Sequence, residues 1–522
     1  MSSASPGAVS SPPAAGPPKT TLADRIGMLA GGQVITAAIG LAQGILLVRL
    51  VPKADYGALS FVMMLLATAR DLLQLYLPES ILYFAPPLPT AQQKGLVRQS
   101  MLLLTGLGAL VLLGFVVAAL APSFFLGGRG LGHEGLGPLL LLAGIINLLT
   151  FPASVFAPLF VATDNHRKTA GISLLTTVVG AIGALVPAAL GWPVVWIMAS
   201  LCVTTALRLS LAWSLYARLF PGVEVEPFPG GPRAQLAYAL PLAATRLAGL
   251  INQKLDKVVV GLFFSASQFA EFAIGSQELP LVTILPYTVA SAMLPQLVER
   301  YNTGGKGVTG ARSAMELWHA GTRKVSLVML PIAAFLLISA EPLMRVLYGE
   351  AYVAAAVPFR IYGALLPLRV TAFGIMLLAF GQTKTTLRVQ IVGVAFNVAA
   401  SFALLPTLGM IGAPLAAVLT QVMMIVLLVW RVERVAQVGL RGIFPWAHYS
   451  RTALAAIVAG APLVAAQLTL PWVHPAAFLA AGAAVYLGMY LGAARVIGIF
   501  APEDRAFVER WLRLEPLRRR SP

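Results

Sequence analysis

Six cationic side chains stand inside stretches that are otherwise apolar: Arg70, Arg246, Lys254, Lys257, Arg360 and Arg369. The densest group runs Arg246-Leu247-Ala248-Gly249-Leu250-Ile251-Asn252-Gln253-Lys254-Leu255-Asp256-Lys257. At about 100° per residue, Arg246, Gln253 and Lys257 share one helix face, with Asn252 and Lys254 to either side. Arg70 and Asp71 stand together earlier in the chain, with Gln74 one turn on and Glu79 beyond Pro78. Arg369 lies near the middle of a later run, and Arg360 near its end on the opposite face. Within a bilayer an ionisable group costs a few kcal/mol or more, so it faces protein or water and points to function by default. The sign of the set is informative. Cations outnumber Asp71 and Asp256, and a net cationic wall in low dielectric attracts an anion. Arginine suits phosphate through its bidentate fork, whereas an exporter of organic cations calls for an acidic wall. The candidate substrate-binding residues are therefore Arg70, Arg246, Asn252, Lys254, Lys257 and Arg369. Asp71, Glu79, Asp256 and Glu278, together with Glu271, are candidate ion-coupling acids. The structural alternative is that Arg70–Asp71 and Asp256–Lys257 cancel as local pairs, that Lys257 and Arg360 snorkel to an interface, or that the charges glue helices together.

Other chemistry is thinly represented. His133, His166, His319, His448 and His474 fall in or near separate loops, so no metal site and no nucleophile–base pair is expected. The Gly127-Gly128 and Gly304-Gly305 pieces lack the Lys-Ser/Thr ending of a phosphate-binding loop. The single cysteine, Cys202, excludes an intrachain disulfide and a cysteine metal site. No cofactor and no covalent catalysis are expected; any energy comes from ion gradients, membrane potential or the substrate's own gradient.

The elements that position these charges follow from composition. The 522 residues are 58% hydrophobic and 11% charged, with mean hydropathy +0.82; soluble domains carry about a quarter charged residues. Apolar runs of roughly 20 residues recur from Ile26 to Phe500, long enough to cross a bilayer core, and they lack the period-2 alternation of barrel strands. The chain is expected to be an all-α polytopic membrane protein with about 14 transmembrane helices. With the N-terminus in the cytoplasm, Lys94, Arg98, Arg167, Lys168, Arg218, Arg233, Arg300, Arg312, Lys384, Arg388, Arg431, Arg434 and the arginines of the C-terminal tail fall on that side. The opposite side keeps Arg49, Lys53, Arg129 and Arg345, with Arg360 near its edge. This is the positive-inside pattern, and it places both termini in the cytoplasm. The net charge of +17 is then topological and implies no nucleic acid.

The Pro- and Ser-rich N-terminus lacks the apolar core of a signal peptide and reads as a disordered tail. In the C-terminal tail Phe507, Trp511 and Leu514 have helical spacing and could lie on the inner leaflet, although a topogenic basic tail is the simpler reading. A faint repeat relates Lys53-Ala54-Asp55-Tyr56-Gly57-Ala58-Leu59-Ser60 to Ala266-Ser267-Gln268-Phe269-Ala270-Glu271-Phe272-Ala273, and Thr163–Lys168 to Phe380–Thr385. Six helices separate the members, so two six-helix lobes of parallel topology are expected, with two helices left over and a site between the lobes. The expected division is a cytoplasmic tail (1–22), an N-lobe (23–220), a C-lobe (221–435), the two extra helices (436–500) and a basic tail (501–522). A small, polar stripe of Gln33, Thr36, Gly40 and Gln43 lies on the first span.

Several segments resemble bacterial polysaccharide flippases of the O-antigen (Wzx) type. Leu47-Val48-Arg49-Leu50-Val51-Pro52-Lys53-Ala54-Asp55-Tyr56-Gly57 is similar to a stretch after that family's first span, and Asn252 to Phe264, with Asp256-Lys257, is similar to its seventh-span segment. Leu347–Tyr352, Leu378–Thr383, Asn397 and Gly409–Ala413 resemble its C-terminal half. Phe269-Ala270-Glu271-Phe272 departs from the family's commoner Gly-x-Tyr. The resemblance implies the multidrug/oligosaccharidyl-lipid/polysaccharide exporter fold, with a V-shaped cavity between two lobes. It further implies movement of undecaprenyl-diphosphate-linked oligosaccharide from the cytoplasmic to the periplasmic leaflet of a bacterial inner membrane. The last two spans would resemble the extra pair of lipid II flippases, which forms a groove for the prenyl tail. Membrane lipids, the lipid-linked sugar and polysaccharide polymerase or assembly proteins are the implied partners. A cation-coupled drug exporter of the same superfamily stands as the alternative, and so does a membrane polysaccharide polymerase or ligase, although the short external loops offer the latter few catalytic residues.

Overall fold

The computed structural model describes residues 22–120, 135–163, 165–277, 280–305, 307–371, 373–469 and 474–499. Most of both tails, Glu278 and the side chain of Gln33 lie outside the described residues. The first half contains α1 (Leu22–Leu50), α2 (Lys53–Leu73), α3 (Leu77–Phe84), α4 (Thr90–Leu120), α5 (Leu136–Ala153), α6 (Phe156–Ala162), α7 (His166–Ala189) and α8 (Val194–Leu219). The second contains α9 (Gly231–Phe263), α10 (Ala266–Gly275), α11 (Pro280–Thr303), α12 (Gly307–Ile338), α13 (Ala340–Tyr348), α14 (Ala356–Gly363), α15 (Phe373–Ala379), α16 (Thr383–Leu408) and α17 (Gly412–Ala436). The short α18 (Gly439–Ile443), then α19 (Trp446–Thr469) and α20 (Pro475–Val496), complete it. The described elements are all helical, because a backbone in hydrocarbon must satisfy its hydrogen bonds within its own segment. Their apolar side chains also point outward. Leu102, Leu110, Leu113 and Leu120 of α4 and Val496 of α20 are exposed, a surface that would aggregate in water and suits lipid.

Nine helical stretches among the described residues are long and apolar enough to cross a membrane, and eleven are if each of two bent pairs counts as one span. That measure does not reach the expected fourteen, and the shortfall has named places. Thr383–Ala436, one of the nine, is two helices folded back on each other, α16 and α17. The expected first span contributes a shorter apolar helix, Ile35–Leu50. The expected eighth is divided into α10 and α11.

The internal repeat is plain in the helices. Thr90, Phe156 and His166 begin α4, α6 and α7; Gly307, Phe373 and Thr383 begin α12, α15 and α16 at one offset (307 less 90, 373 less 156, 383 less 166). The repeat members α2 and α10 pack against each other. A Cβ at Gly57 would overlap the Ala266 carbonyl oxygen, and one at Gly261 of α9 would overlap the Phe61 ring. Glycine lets these backbones approach as small residues do at membrane helix crossings. Phe61 and Phe269 then meet edge to face at 5.3 Å, both fully buried. The extra helices dock on α12 through Tyr490, whose hydroxyl donates to the Leu327 carbonyl at 2.8 Å, and through Gln467, which donates to the Ile338 carbonyl at 2.9 Å.

The rim opposite the basic loops carries a latch between the halves. Arg49, at the end of α1, donates from Nε to the Leu347 carbonyl at 2.9 Å and from Nη2 to the Val346 carbonyl. Lys53 pairs with Glu271 at 2.5 Å, donates to the Ala351 carbonyl at 2.7 Å and lies over the Tyr352 ring. Tyr56 meets Tyr352 edge to face at 6.3 Å. Glu271, an expected coupling acid, is therefore committed to this ion pair. Among the described residues the other cations of that rim are paired too: Arg345 with Glu350 at 3.4 Å, and Arg360 with Glu341 at 2.9 Å. Arg360 does not snorkel freely but is fixed between Glu341 and the Leu337 carbonyl.

Two outcomes follow. Gly57→Leu should lower the thermal midpoint in detergent, because overpacking a close crossing costs about 1–3 kcal/mol or more, while Gly40→Leu, where nothing lies within 4 Å, should leave it in place. Equal midpoints would mean that α2 and α10 can separate freely. For the latch, the measurement is labelling of Gln253→Cys, in a Cys202→Ser background, by an impermeant maleimide added from the latch side. Lys53→Glu should raise the rate about fivefold, the scale of a part-buried ion pair of about 1 kcal/mol, and adding Glu271→Lys should restore it. A rate indifferent to Lys53→Glu would leave the rim closed by packing alone.

Candidate functional site

Two interrupted helices build the site. After α2 the chain passes through Leu75 and Tyr76 in the left-handed region, φ 51° and 60°, before α3 starts at Leu77-Pro78. Non-glycine residues adopt that conformation at a cost, and it clusters at functional sites. The break ends the helix just beyond Arg70 and Asp71. Helix α9 bends by 43° between Gly231–Ala244 and Arg246–Phe263. The bend brings Arg246 over the Tyr76 ring, 5.4 Å from its centroid, in a cation–π contact. Each break thus faces the other, with an arginine of the second half resting on an aromatic of the first.

Helix α9 is bolted at both ends. In its first section Gln235, fully buried, donates to the Ser80 and Ser100 hydroxyls at 2.8 and 2.7 Å and accepts from Gln99 at 2.9 Å. These contacts fix it to α3 and α4. In its second section the Asn252 amide donates to the Gln390 carbonyl and side-chain oxygen at 2.9 and 3.0 Å, and Asn397 donates to the Asn252 carbonyl at 3.4 Å. Gly393 leaves room for that amide. Asn252, expected among the substrate-binding residues, is thus held in the seam with α16: its depth and polarity are explained by helix packing.

The cations converge from both halves. Lys254 lies within electrostatic reach of Lys257, Asp71, Asp256 and Arg70. Arg70 in turn lies near Arg208 of α8, which is accessible to solvent although walled by protein. Arg246 and Gln253, in the interior of a membrane-length helix, are likewise exposed; within a membrane such polar groups are tolerated against water or protein rather than hydrocarbon. Arg70, Arg208, Arg246, Lys254 and Lys257 thus stand against Asp71 and Asp256.

The acids are partly engaged. Asp71 binds its neighbour Arg70 at 3.1 Å. Asp256 is 4% exposed, accepts the Tyr362 hydroxyl of α14 and the Lys257 backbone N–H, and so ties α9 to α14. Glu79, half-buried, opens α3. Arg369 stands on the short 3₁₀ turn Leu368–Val370, packed against α12. Among the described residues no group of three or more His, Cys, Asp and Glu is arranged to hold a metal.

Arg208, Tyr76 and Tyr362 stand at the site without being among the sequence expectations. Arg208 had a signal, a charge within an apolar run, that the denser α9 group overshadowed. The two tyrosines had none, since their roles come from partners distant in sequence.

Comparison with proteins of known structure supports this architecture. The lipid II flippase MurJ in an inward closed conformation superposes with TM-score 0.70 at 13% identity, covering 90% of this chain and 99% of that one. An inward-facing multidrug resistance MATE family transporter of the MOP superfamily gives 0.56 at 16%, covering 80% and 99%. A MOP superfamily transporter from Pyrococcus furiosus, described as having a binding pocket of reverse polarity, gives 0.52 at 15%, covering 79% and 95%. At such identities the likeness is one of fold: pseudo-repeated lobes of the MurJ and MATE kind. No curated protein sequence matches the chain. A family model for the lipid II flippase MurJ matches residues 264–481, and a model for polysaccharide biosynthesis proteins matches residues 46–357, more than half of the sequence. The chain belongs to the polysaccharide biosynthesis protein family.

Proposed function

We propose that this protein is a flippase that carries a polyprenyl-diphosphate-linked oligosaccharide across the bacterial inner membrane by alternating access, for cell-surface polysaccharide such as O-antigen. The observation that carries this reading is the meeting of cations from both halves, Arg70 and Arg208 on one side and Arg246, Lys254 and Lys257 on the other. A diphosphate in low dielectric is prohibitively costly unless paired, and two facing sets of cations can hold it while the lobes exchange which rim is open. The hydrated sugar travels in the wet space beside Arg246 and Gln253; the prenyl tail stays in lipid. With the latch at Arg49 and Lys53 shut, uptake is from the side of the basic loops, the cytoplasm in the positive-inside reading, with both termini there. A polysaccharide polymerase or assembly protein would then receive the product on the far side. The excess of cations stands against an organic-cation cargo. Asp256 is the acid we assign to ion coupling, since it is enclosed and bridges α9 and α14.

Reconstituted into liposomes with fluorescent undecaprenyl-diphosphate oligosaccharide, the wild type should flip it. Arg208→Ala and Arg246→Ala should each lose at least about tenfold in rate, the scale of one lost charge-assisted contact, while Arg345→Ala at the rim should not. Lipid II in a parallel arm reports whether the glycan matters. Undiminished transport in both site variants would reduce those arginines to packing roles. Asp256→Asn keeps an acceptor for the Tyr362 hydroxyl and should remove the response to an imposed proton gradient. A response equal to that of the wild type would move the coupling elsewhere.

A further inference from the structure

The connection between α17 and α19 carries an open cavity of about 780 Å³ lined by Arg323, Leu440, Arg441, Pro445, Trp446, Ala447 and His448. It belongs to neither the interlobe cations nor the latch. Its walls are held by contacts of their own. Arg312 of α12 donates to the Ala436 and Gln437 carbonyls at 3.3 and 2.7 Å, closing the end of α17 where Gln437 turns left-handed at φ 50°. His319 hydrogen-bonds the Ile443 carbonyl at 3.1 Å. The Trp446 indole donates to the Leu440 carbonyl at 3.2 Å, and the Phe444 ring meets those of Trp446 and Tyr449 at 4.9 and 5.0 Å. The Tyr449 hydroxyl donates to the Pro367 carbonyl at 3.0 Å.

The chemistry of the lining is specific. Two guanidinium groups and an imidazole face the cavity, and among the described residues no carboxylate lines it. Lys324 and Arg451 stand exposed one residue beyond Arg323 and one turn beyond Ala447. Leu440 and Trp446 are 65% and 56% exposed, although they stand beside arginines. Apolar side chains next to free cations, at the start of a membrane-crossing helix, sit at the level where hydrocarbon gives way to headgroups, and tryptophan favours that level. A soluble anion has no use for the apolar half of this wall. A phospholipid uses both, its phosphate among the arginines and its acyl chains along Leu440 and Trp446.

We infer that this cavity is a binding site for the phosphate headgroup of an anionic phospholipid of the leaflet on the basic side. Basic pockets between membrane helices on that side bind such headgroups, and arginine grips phosphate bidentately. The inference rests on the membrane-spanning reading and not on the transport cargo. A lipid seated there bridges α12 and the α17–α19 connection, and so joins the extra helices to the second lobe.

The test uses the full chain in a neutral detergent, with retained lipid counted by native mass spectrometry and stability read by thermal shift. Phosphatidylglycerol should bind and raise the midpoint, and phosphatidylcholine should do neither. Arg323→Gln/Arg441→Gln should cut phosphatidylglycerol retention at least about tenfold, the scale of two charge-assisted contacts. Arg451→Gln, an exposed charge outside the lining, should retain it. The double variant changes exposed side chains, and its own midpoint without lipid reports whether it is folded; should it unfold, Leu440→Asp, which spares both arginines, should lose the same retention. Retention unchanged in the variants, or equal retention of the two lipids, overturns the site. An equal shift produced by inorganic phosphate overturns the lipid as its occupant.

Discussion

Hydrocarbon offers no hydrogen bonds, and every other feature of this molecule answers to that constraint. Backbone groups are satisfied within helices, so the architecture is helical. Side-chain charges are tolerated where another part of the protein, or water held between its parts, receives them. The two halves meet at the α2–α10 crossing, where Gly57 and Ala266 bring backbones together and Phe61 packs on Phe269. Away from that crossing they are free to leave a polar space, and the intramembrane cations of α2, α8 and α9 gather there.

Helix α9 is the element the two halves share. Its first section belongs mechanically to the first half through Gln235, whose three hydrogen bonds are all to α3 and α4. Its second section is held to the other half through Asn252 and Asp256, and it also packs through Gly261 on Phe61 of α2. The bend falls between these anchors, at Thr245–Arg246, and Arg246 there stacks on Tyr76, itself in a costly backbone conformation.

The basic side and the opposite rim divide the remaining cations by task. On the rim Lys53, Arg345 and Arg360 pair with carboxylates of other elements, and Arg49 and Lys53 fasten the halves together. On the basic side Arg312 and His319 fix loop carbonyls, while Arg323 and Arg441 face an open cavity.

Composition and periodicity by themselves determined that the chain is a helical membrane protein with a doubled architecture, since length and apolarity of each run depend on nothing distant. The repeat was faint in residues yet plain in helix starts, because helix length tolerates substitution that erases sequence likeness. The cationic excess among the intramembrane charges is also legible, since it is read from the residues themselves. What each charge touches was decided by tertiary structure alone. Asn252, Glu271 and Arg360 meet partners, Gln390, Lys53 and Glu341, that come to them from elsewhere in the chain. Arg208 joined Arg70 across a separation no local pattern records. Hydrogen bonds and ion pairs act over a few ångströms, and which residues come that close is fixed by how the helices pack.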